Sequence, residues 1–63
     1  MTQKERATLL DLVAKEIGRT RRIIFKYEDN IEQGLPYEDK LNDKRRKLDS
    51  LLALYENVKG GEQ

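Results

Sequence analysis

Residues 10–31 read LDLVAKEIGRTRRIIFKYEDNI, and this stretch decides the architecture of the chain. Apolar or weakly polar residues recur in it at steps of three and four: Leu10, Val13, Ile17, Thr20, Ile24, Tyr27 and Ile31. This spacing places them on one stripe of a helix, at the a and d positions of three successive heptads. The stretch therefore predicts a long amphipathic helix that packs against another helix along this stripe, which we call the first seam.

Both ends of this helix carry a local signal. Thr2 and Glu5 match the capping box, in which each side chain accepts a hydrogen bond from the other residue's backbone amide. Gly34 suits the left-handed backbone position that commonly follows the last turn of a helix. The first helix is therefore expected to cover about residues 3–33.

A second helix is predicted after a very short turn. Pro36 fits the first turn of a helix, where its missing N–H is not needed, so this helix is expected over about residues 36–59, followed by a frayed tail at 60–63. It carries a second seam: Tyr37, Leu41, Lys44, Leu48, Leu51, Tyr55 and Val58. Two seams joined by so short a turn pack antiparallel. The predicted fold class is all-α, with residues 1–63 forming a single antiparallel αα-hairpin domain.

Composition excludes several classes of protein. Charged residues make up 40% of the 63 residues, as in long-helix proteins, and 13 basic against 12 acidic residues leave a net charge of only +1. Cys and His are absent, which removes disulfides, Cys/His zinc sites and Cys or His nucleophiles. Neither a membrane span nor a signal peptide can be recognised. We expect a cytoplasmic protein with no catalytic residues, metal, cofactor, small-molecule substrate or membrane contact.

A lone hairpin cannot bury all of its apolar side chains. If the turn centres near residue 35, the first helix runs past the second and carries Leu9 and Leu10 beyond the reach of Val58. The full set expected to bind a partner is Leu9, Leu10, Leu12, Ile23, Phe25, Leu52 and Leu54. Burying one such side chain stabilises a protein by roughly 1.5–3 kcal/mol. We therefore expect a homodimer that forms a four-helix bundle, or docking on another protein, and a monomer that exposes these residues is the alternative.

Basic residues cluster across the middle of the predicted hairpin. The residues expected to contact an acidic partner or nucleic acid are Lys15, Arg19, Arg21, Arg22, Lys26, Lys44, Arg45, Arg46 and Lys47, which we call the basic belt. Such a belt favours a phosphate backbone or an acidic protein surface, and Phe25 within it is placed to stack on an unpaired base. The alternative is a solvated surface held by local ion pairs four residues apart: Asp11–Lys15, Asp43–Lys47 and Arg45–Asp49.

Two short matches to known families are present. The opening Met1-Thr2-x-x-Glu5, the chain length and the predicted hairpin resemble the Rop plasmid copy-number regulators. That resemblance implies an antiparallel dimeric four-helix bundle that binds paired RNA loops through its first helix. Residues 48–55, LDSLLALY, are similar to the Leu-Asp-x-Leu-Ile-x-x-Tyr end of the short sporulation-type aspartyl-phosphate phosphatases, although Arg45-Arg46 replaces their Ser-Gln. Either match can arise in any amphipathic hairpin, so no family is assigned.

The sequence thus predicts a small non-enzymatic interaction or regulatory protein, of the kind common among bacterial and phage accessory proteins. It is expected to dimerise and to bind a protein partner through exposed apolar residues of the first helix and through the basic belt. The alternative is a Rop-like four-helix bundle that binds RNA or DNA with the basic belt.

Overall fold

The computed structural model describes residues 2–60, which form two helices, α1 (Gln3–Glu32) and α2 (Glu38–Gly60). The helices pack against each other as an antiparallel hairpin: Glu28 of α1 contacts Arg45 of α2, whereas the earlier Glu16 contacts the later Lys47. The predicted all-α hairpin is confirmed, with helix bounds within two residues of those expected. Of the predicted frayed tail, residue 60 belongs to α2, and residues 61–63 lie outside the described residues.

The start of α1 is fixed by the predicted capping box. The Thr2 hydroxyl accepts a hydrogen bond from the Glu5 backbone N–H at 3.1 Å, and the Glu5 carboxylate accepts one from the Thr2 N–H at 3.3 Å. These two bonds satisfy amide groups that have no partner within the helix. Replacing a capping residue of this kind by Ala typically costs about 1 kcal/mol.

The end of α1 is fixed by Gly34. Its φ of +89° lies in the left-handed region that favours glycine. The Gly34 N–H donates to the Ile31 carbonyl at 2.9 Å, and the Leu35 N–H donates to the Asn30 carbonyl at 3.0 Å. This pair of bonds is the Schellman motif, which reverses the chain directly after the helix.

The prediction that Pro36 lies in the first turn of α2 is wrong. The helix begins at Glu38, and its first hydrogen bond runs from the Leu41 N–H to the Tyr37 carbonyl at 2.8 Å. Pro36 instead lies at the centre of a three-residue turn, in which the Tyr37 N–H donates to the Leu35 carbonyl at 3.0 Å. Proline's fixed φ suits this tight turn as well as it suits a helix start. The residue type alone therefore cannot decide whether Pro36 lies in the turn or in the helix.

The core is small and lies along the two seams. Within residues 2–60 its buried apolar side chains are Val13, Ile17, Ile24 and Leu41. Thr20 is 1% exposed, and its hydroxyl donates to the Glu16 carbonyl at 2.8 Å, so its burial leaves no unsatisfied polar group. The remaining positions of both seams, including Lys44, are half-buried. Both predicted seams are therefore confirmed.

The hairpin is thin and exposes more surface than a compact protein of its size. Its extents are 48 × 15 × 10 Å, and its radius of gyration is 14.7 Å, against about 11 Å for a compact chain of this length. It exposes 5088 Å², whereas a compact monomer of 7.4 kDa exposes about 4,200 Å². A single layer of two helices thus leaves a broad face uncovered on each side.

Candidate interaction faces

One interhelical ion pair marks each broad face of the hairpin. Glu28 contacts Arg45 at 3.1 Å, and Glu16 contacts Lys47 at 2.9 Å. With the seams at a and d, the first pair joins e positions and the second joins g positions, as the geometry of antiparallel helices requires. We call the e side the Glu28 face: Ala7, Ala14, Arg21, Glu28, Glu38, Arg45, Leu52 and Lys59. We call the g side the Glu16 face: Leu9, Glu16, Ile23, Asn30, Lys40, Lys47 and Leu54.

The open end of the Glu16 face is apolar. Leu9 and Leu54 each lie one heptad beyond Glu16 and Lys47, so they occupy the equivalent neighbouring places on the two helices. Leu9 is half-buried and Leu54 is 43% exposed. Leu12, on the outer edge of this face, is 58% exposed and lines a shallow pocket of about 350 Å³ together with Leu9. Leu9 and Leu12 thus share one pocket, and Leu54 occupies the position of α2 that corresponds to Leu9; we call these three leucines the apolar patch.

Leu9 and Leu10, which the sequence predicts to lie beyond the reach of α2, are half-buried, and neither belongs to the buried core. The predicted register places residue 47 beside residue 23, but Lys47 contacts Glu16, seven residues nearer the open end. On the opposite face Arg45 contacts Glu28, three residues nearer the turn than the predicted register implies, so the long side chains at g and e positions reach in opposite directions along α1.

Toward the turn, the Glu16 face mixes apolar, polar and charged positions: Ile23, Asn30 and Lys40. Ile23, one heptad from Glu16 toward the turn, is half-buried. The equivalent step from Lys47 leads to Lys40, whose ammonium nitrogen lies 5.0 Å from the centre of the Tyr37 ring. An ion pair thus lies between the leucine layer at the open end and Ile23 near the turn.

The Glu28 face has a different character. Phe25, on its outer edge, is 77% exposed and borders a groove of about 700 Å³ to which Ile31 and Leu41 contribute apolar surface. Both basic and acidic side chains border the same groove: Arg22, Lys26, Glu28, Asp29, Glu32 and Arg45. Leu52 also lies on this face and is 36% exposed.

The seven apolar residues predicted to bind a partner therefore do not form one surface. Those of the Glu16 face and its edge are Leu9, Leu12, Ile23 and Leu54. Those of the Glu28 face and its edge are Phe25 and Leu52, and Leu10 belongs to the seam. Because the two faces lie on opposite sides of the hairpin, no single flat partner can cover both.

Most of the basic belt is neutralised by ion pairs. Five of its nine members contact a carboxylate: Lys15, Arg19, Arg45, Arg46 and Lys47. Lys44, on the second seam, forms no ion pair within residues 2–60 and acts on Glu16 only through its charge; Arg21, Arg22 and Lys26 form no ion pair in that range either. Arg21 and Arg22 lie four and three residues before Phe25, and Lys26 directly follows it. The unpaired positive charge is thus concentrated around the exposed aromatic ring.

Of the three predicted local ion pairs, Lys15–Asp11 is confirmed at 2.9 Å. The predicted Asp43–Lys47 pair is wrong, because Lys47 reaches across to Glu16 and Asp43 contacts Arg46 at 3.7 Å. The predicted pair of Arg45 with residue 49 is also wrong, since Arg45 contacts residue 28 of α1. In both errors a long side chain reaches an acid on the other helix instead of one on its own.

Glu16 is the electrostatic centre of its face, and it was missing from the residues singled out in the sequence. The hydrogen bond from the Lys47 ammonium and the charge of Lys47 hold the pKa of the Glu16 carboxyl below its usual value, with smaller contributions from Arg19 and Lys44. The sequence contained a signal for this role. Glu16 and Lys47 both occupy g positions beside their seams, where antiparallel helices bring opposite charges together.

The described part of the chain shows no further kind of site. Within residues 2–60, no group of three or more carboxylates is arranged to hold a metal ion. Neither α1 nor α2 combines the length and apolar character that crossing a membrane requires. No protein-family model, curated protein or solved structure matches the chain. The chemistry of the two faces is therefore the basis for the function proposed below.

Proposed function

We propose that this protein is a small non-enzymatic interaction protein, which forms a homodimer through one face and binds a protein partner through the other. The observation that carries the proposal is the pair of exposed apolar side chains on opposite edges of α1. Leu12 is 58% exposed toward the Glu16 face, and Phe25 is 77% exposed toward the Glu28 face. Each lies beside further apolar surface, Leu12 next to Leu9 and Phe25 next to Ile31 and Leu41, and exposed apolar patches commonly mark interaction surfaces.

The dimensions of the hairpin support a dimer. Each broad face measures 48 Å by 15 Å, on the order of 700 Å², which is close to the ~800 Å² per partner of a standard stable interface. A second hairpin laid on one face would complete a four-helix bundle around the existing seams. The opposite face would remain uncovered in such a dimer, and it is available to another molecule.

The groove beside Phe25 supports a protein as that other molecule. Apolar surface from Ile31 and Leu41, together with an exposed aromatic side chain and a rim of mixed charge, matches the composition of protein interfaces. Aromatic side chains in such places are frequent binding hot spots. We propose that Phe25 is the anchor of the partner contact.

Nucleic acid is the second candidate partner, and one observation favours it. Arg21, Arg22 and Lys26 are free of ion pairs within the described residues and surround Phe25. Cations beside an exposed aromatic ring are suited to a phosphate backbone with an unstacked base. This candidate predicts that the affinity for a single-stranded RNA falls steeply as the salt concentration rises. It also predicts that Arg22→Ala weakens this affinity whatever the RNA sequence.

The proposal is tested by capture experiments with three immobilised proteins. We expect a protein partner to be retained by the wild type and by Ala53→Asp but lost from Phe25→Asp. Ala53 is exposed and outside both faces, so its variant adds the same charge without touching the groove. Retention by all three proteins would contradict the role of Phe25. Binding of a labelled RNA at low salt that Phe25→Asp abolishes would favour nucleic acid over protein.

A further inference from the structure

We infer that the Glu16 face is the dimer interface, and that the second copy packs on it with both turns at the same end of the bundle. This inference rests on the proposed function, because it takes the dimer as given. It adds which of the two faces is covered and how the two hairpins are oriented.

The first step is the difference in apolar content between the faces. The Glu16 face carries three large apolar residues, Leu9, Ile23 and Leu54, and its central acid is already paired with Lys47. The Glu28 face carries one large apolar residue, Leu52. Burial of apolar area drives association, so the Glu16 face gains more from being covered.

The second step is charge. On the Glu28 face, Arg21 has no ion pair within residues 2–60, and five of the eight positions are charged. A second copy on that face would desolvate these charged side chains. It would also bring two copies of the same charged surface into contact. On the Glu16 face only three of the seven positions are charged, Glu16, Lys40 and Lys47, and the Glu16–Lys47 pair can meet its own copy with opposite charges aligned.

The third step concerns orientation. Two hairpins stacked by a two-fold axis along the helices have their turns at the same end, and each α1 lies over the other copy's α2. Leu9 then lies over Leu54 of the partner subunit, and Glu16 lies over Lys47 of the partner subunit. The two copies would form a layer of four leucines next to a ring of alternating negative and positive charges.

The opposite orientation lacks this match. A two-fold axis across the helices lays α1 over α1 in reverse, about the middle of Gln3–Glu32. Each Glu16 then lies within about one helical turn of the other copy's Glu16 and has no Lys47 opposite it, and Leu9 lies between Ile23 and Asn30 of the partner subunit instead of over a leucine. Charge complementarity therefore favours the arrangement with both turns together.

The choice of face is tested by two matched variants, Leu54→Asp and Leu52→Asp. The two leucines are two residues apart on α2 and are 43% and 36% exposed, but they lie on opposite faces. We expect Leu54→Asp to weaken the dimer by about 100-fold or more in sedimentation equilibrium, because each dimer contains the change twice. Leu52→Asp is expected to leave the dimer constant nearly unchanged.

The reverse result, with only Leu52→Asp dissociating the dimer, would overturn the assignment, and so would equal weakening by both. Circular dichroism checks that each variant remains helical, and the milder pair Leu54→Ala and Leu52→Ala replaces them if one unfolds. A wild type that stays at 7.4 kDa would instead refute the dimer itself, and with it the proposed function.

Orientation is tested with spin labels, since the chain has no cysteine and one introduced thiol labels one place. Gln33→Cys places the label on an exposed position at the turn. Neighbouring helices in a bundle lie about 8–10 Å apart, so a same-end dimer is expected to hold its two labels within about 25 Å. A distance near the 48 Å length of the hairpin would overturn the proposed orientation.

Discussion

The Glu16 face and the Glu28 face each carry an interhelical ion pair, but the surroundings of the two pairs differ. The Glu16–Lys47 pair lies between the leucine layer of Leu9 and Leu54 and the half-buried Ile23. The Glu28–Arg45 pair lies beside an open groove. An ion pair between apolar layers can fix the register of an association, whereas one at an open groove stays solvated. The same motif therefore suggests a covered face on one side and an accessible face on the other.

A dimer on the Glu16 face, as proposed, would compensate for a small core. Four buried apolar side chains and Thr20 hold the described hairpin together, fewer than a compact domain usually needs. Additional burial on the Glu16 face would add stability through association, since folding and binding are then linked. The stability of the protein should accordingly depend on its concentration.

The largest effect on stability is expected from a substitution in the first seam, which supports both faces. Ile24→Ala empties a buried position, and we expect it to lower the free energy of unfolding by about 2–5 kcal/mol, which is enough to unfold much of the protein. Urea denaturation followed by circular dichroism measures this change.

Ile23→Ala is the matched control for that variant. Ile23 is the residue next to Ile24, but it lies on the Glu16 face and is half-buried. It should destabilise the hairpin less than Ile24→Ala does, while weakening the dimer. Equal loss of stability in the two variants would show that the seam and the face are not distinct environments.

A smaller effect of opposite sign is expected at Gly18, which lies outside the Glu16 face. A Cβ added at Gly18 meets nothing within 4 Å, so Gly18→Ala should add up to about 1 kcal/mol by improving helix propensity. The melting temperature should rise by roughly 4–8 °C per kcal/mol gained. A weaker dimer in this variant would indicate that the interface lies on the side of α1 that carries Gly18, and it would contradict the assignment of the Glu16 face.

The smallest expected effect is the pH dependence of the Glu16 pair. Folding lowers the pKa of Glu16, so the pair stabilises the folded state above the ordinary pKa near 4.5. That contribution is lost as the pH falls through the lowered pKa. Comparing thermal unfolding at pH 7 and pH 3, we expect Glu16→Gln to lose less stability on acidification than the wild type. Identical losses would mean that the pair contributes nothing to folding.

The helices could be predicted from sequence because their signals are local. The capping box at Thr2 and the glycine at residue 34 act within one helical turn, and both behave as expected. The seams follow from periodicity alone, and their burial agrees. Pro36 was misplaced because the same fixed φ serves two structures.

What the sequence did not reveal depends on contacts between the helices. Local rules assigned Lys47 and Arg45 to acids on their own helix, whereas the folded hairpin offers Glu16 and Glu28 across the interface. The division of the apolar residues into two faces was also missed. It becomes clear once e and g positions are treated separately, as these two ion pairs show.

The most direct test of the account is the mass of the wild-type protein in solution at micromolar concentration. If the apolar patch of Leu9, Leu12 and Leu54 is covered by a second copy, sedimentation equilibrium will give twice the 7.4 kDa mass of one chain. A single species at 7.4 kDa across the concentration range would contradict it.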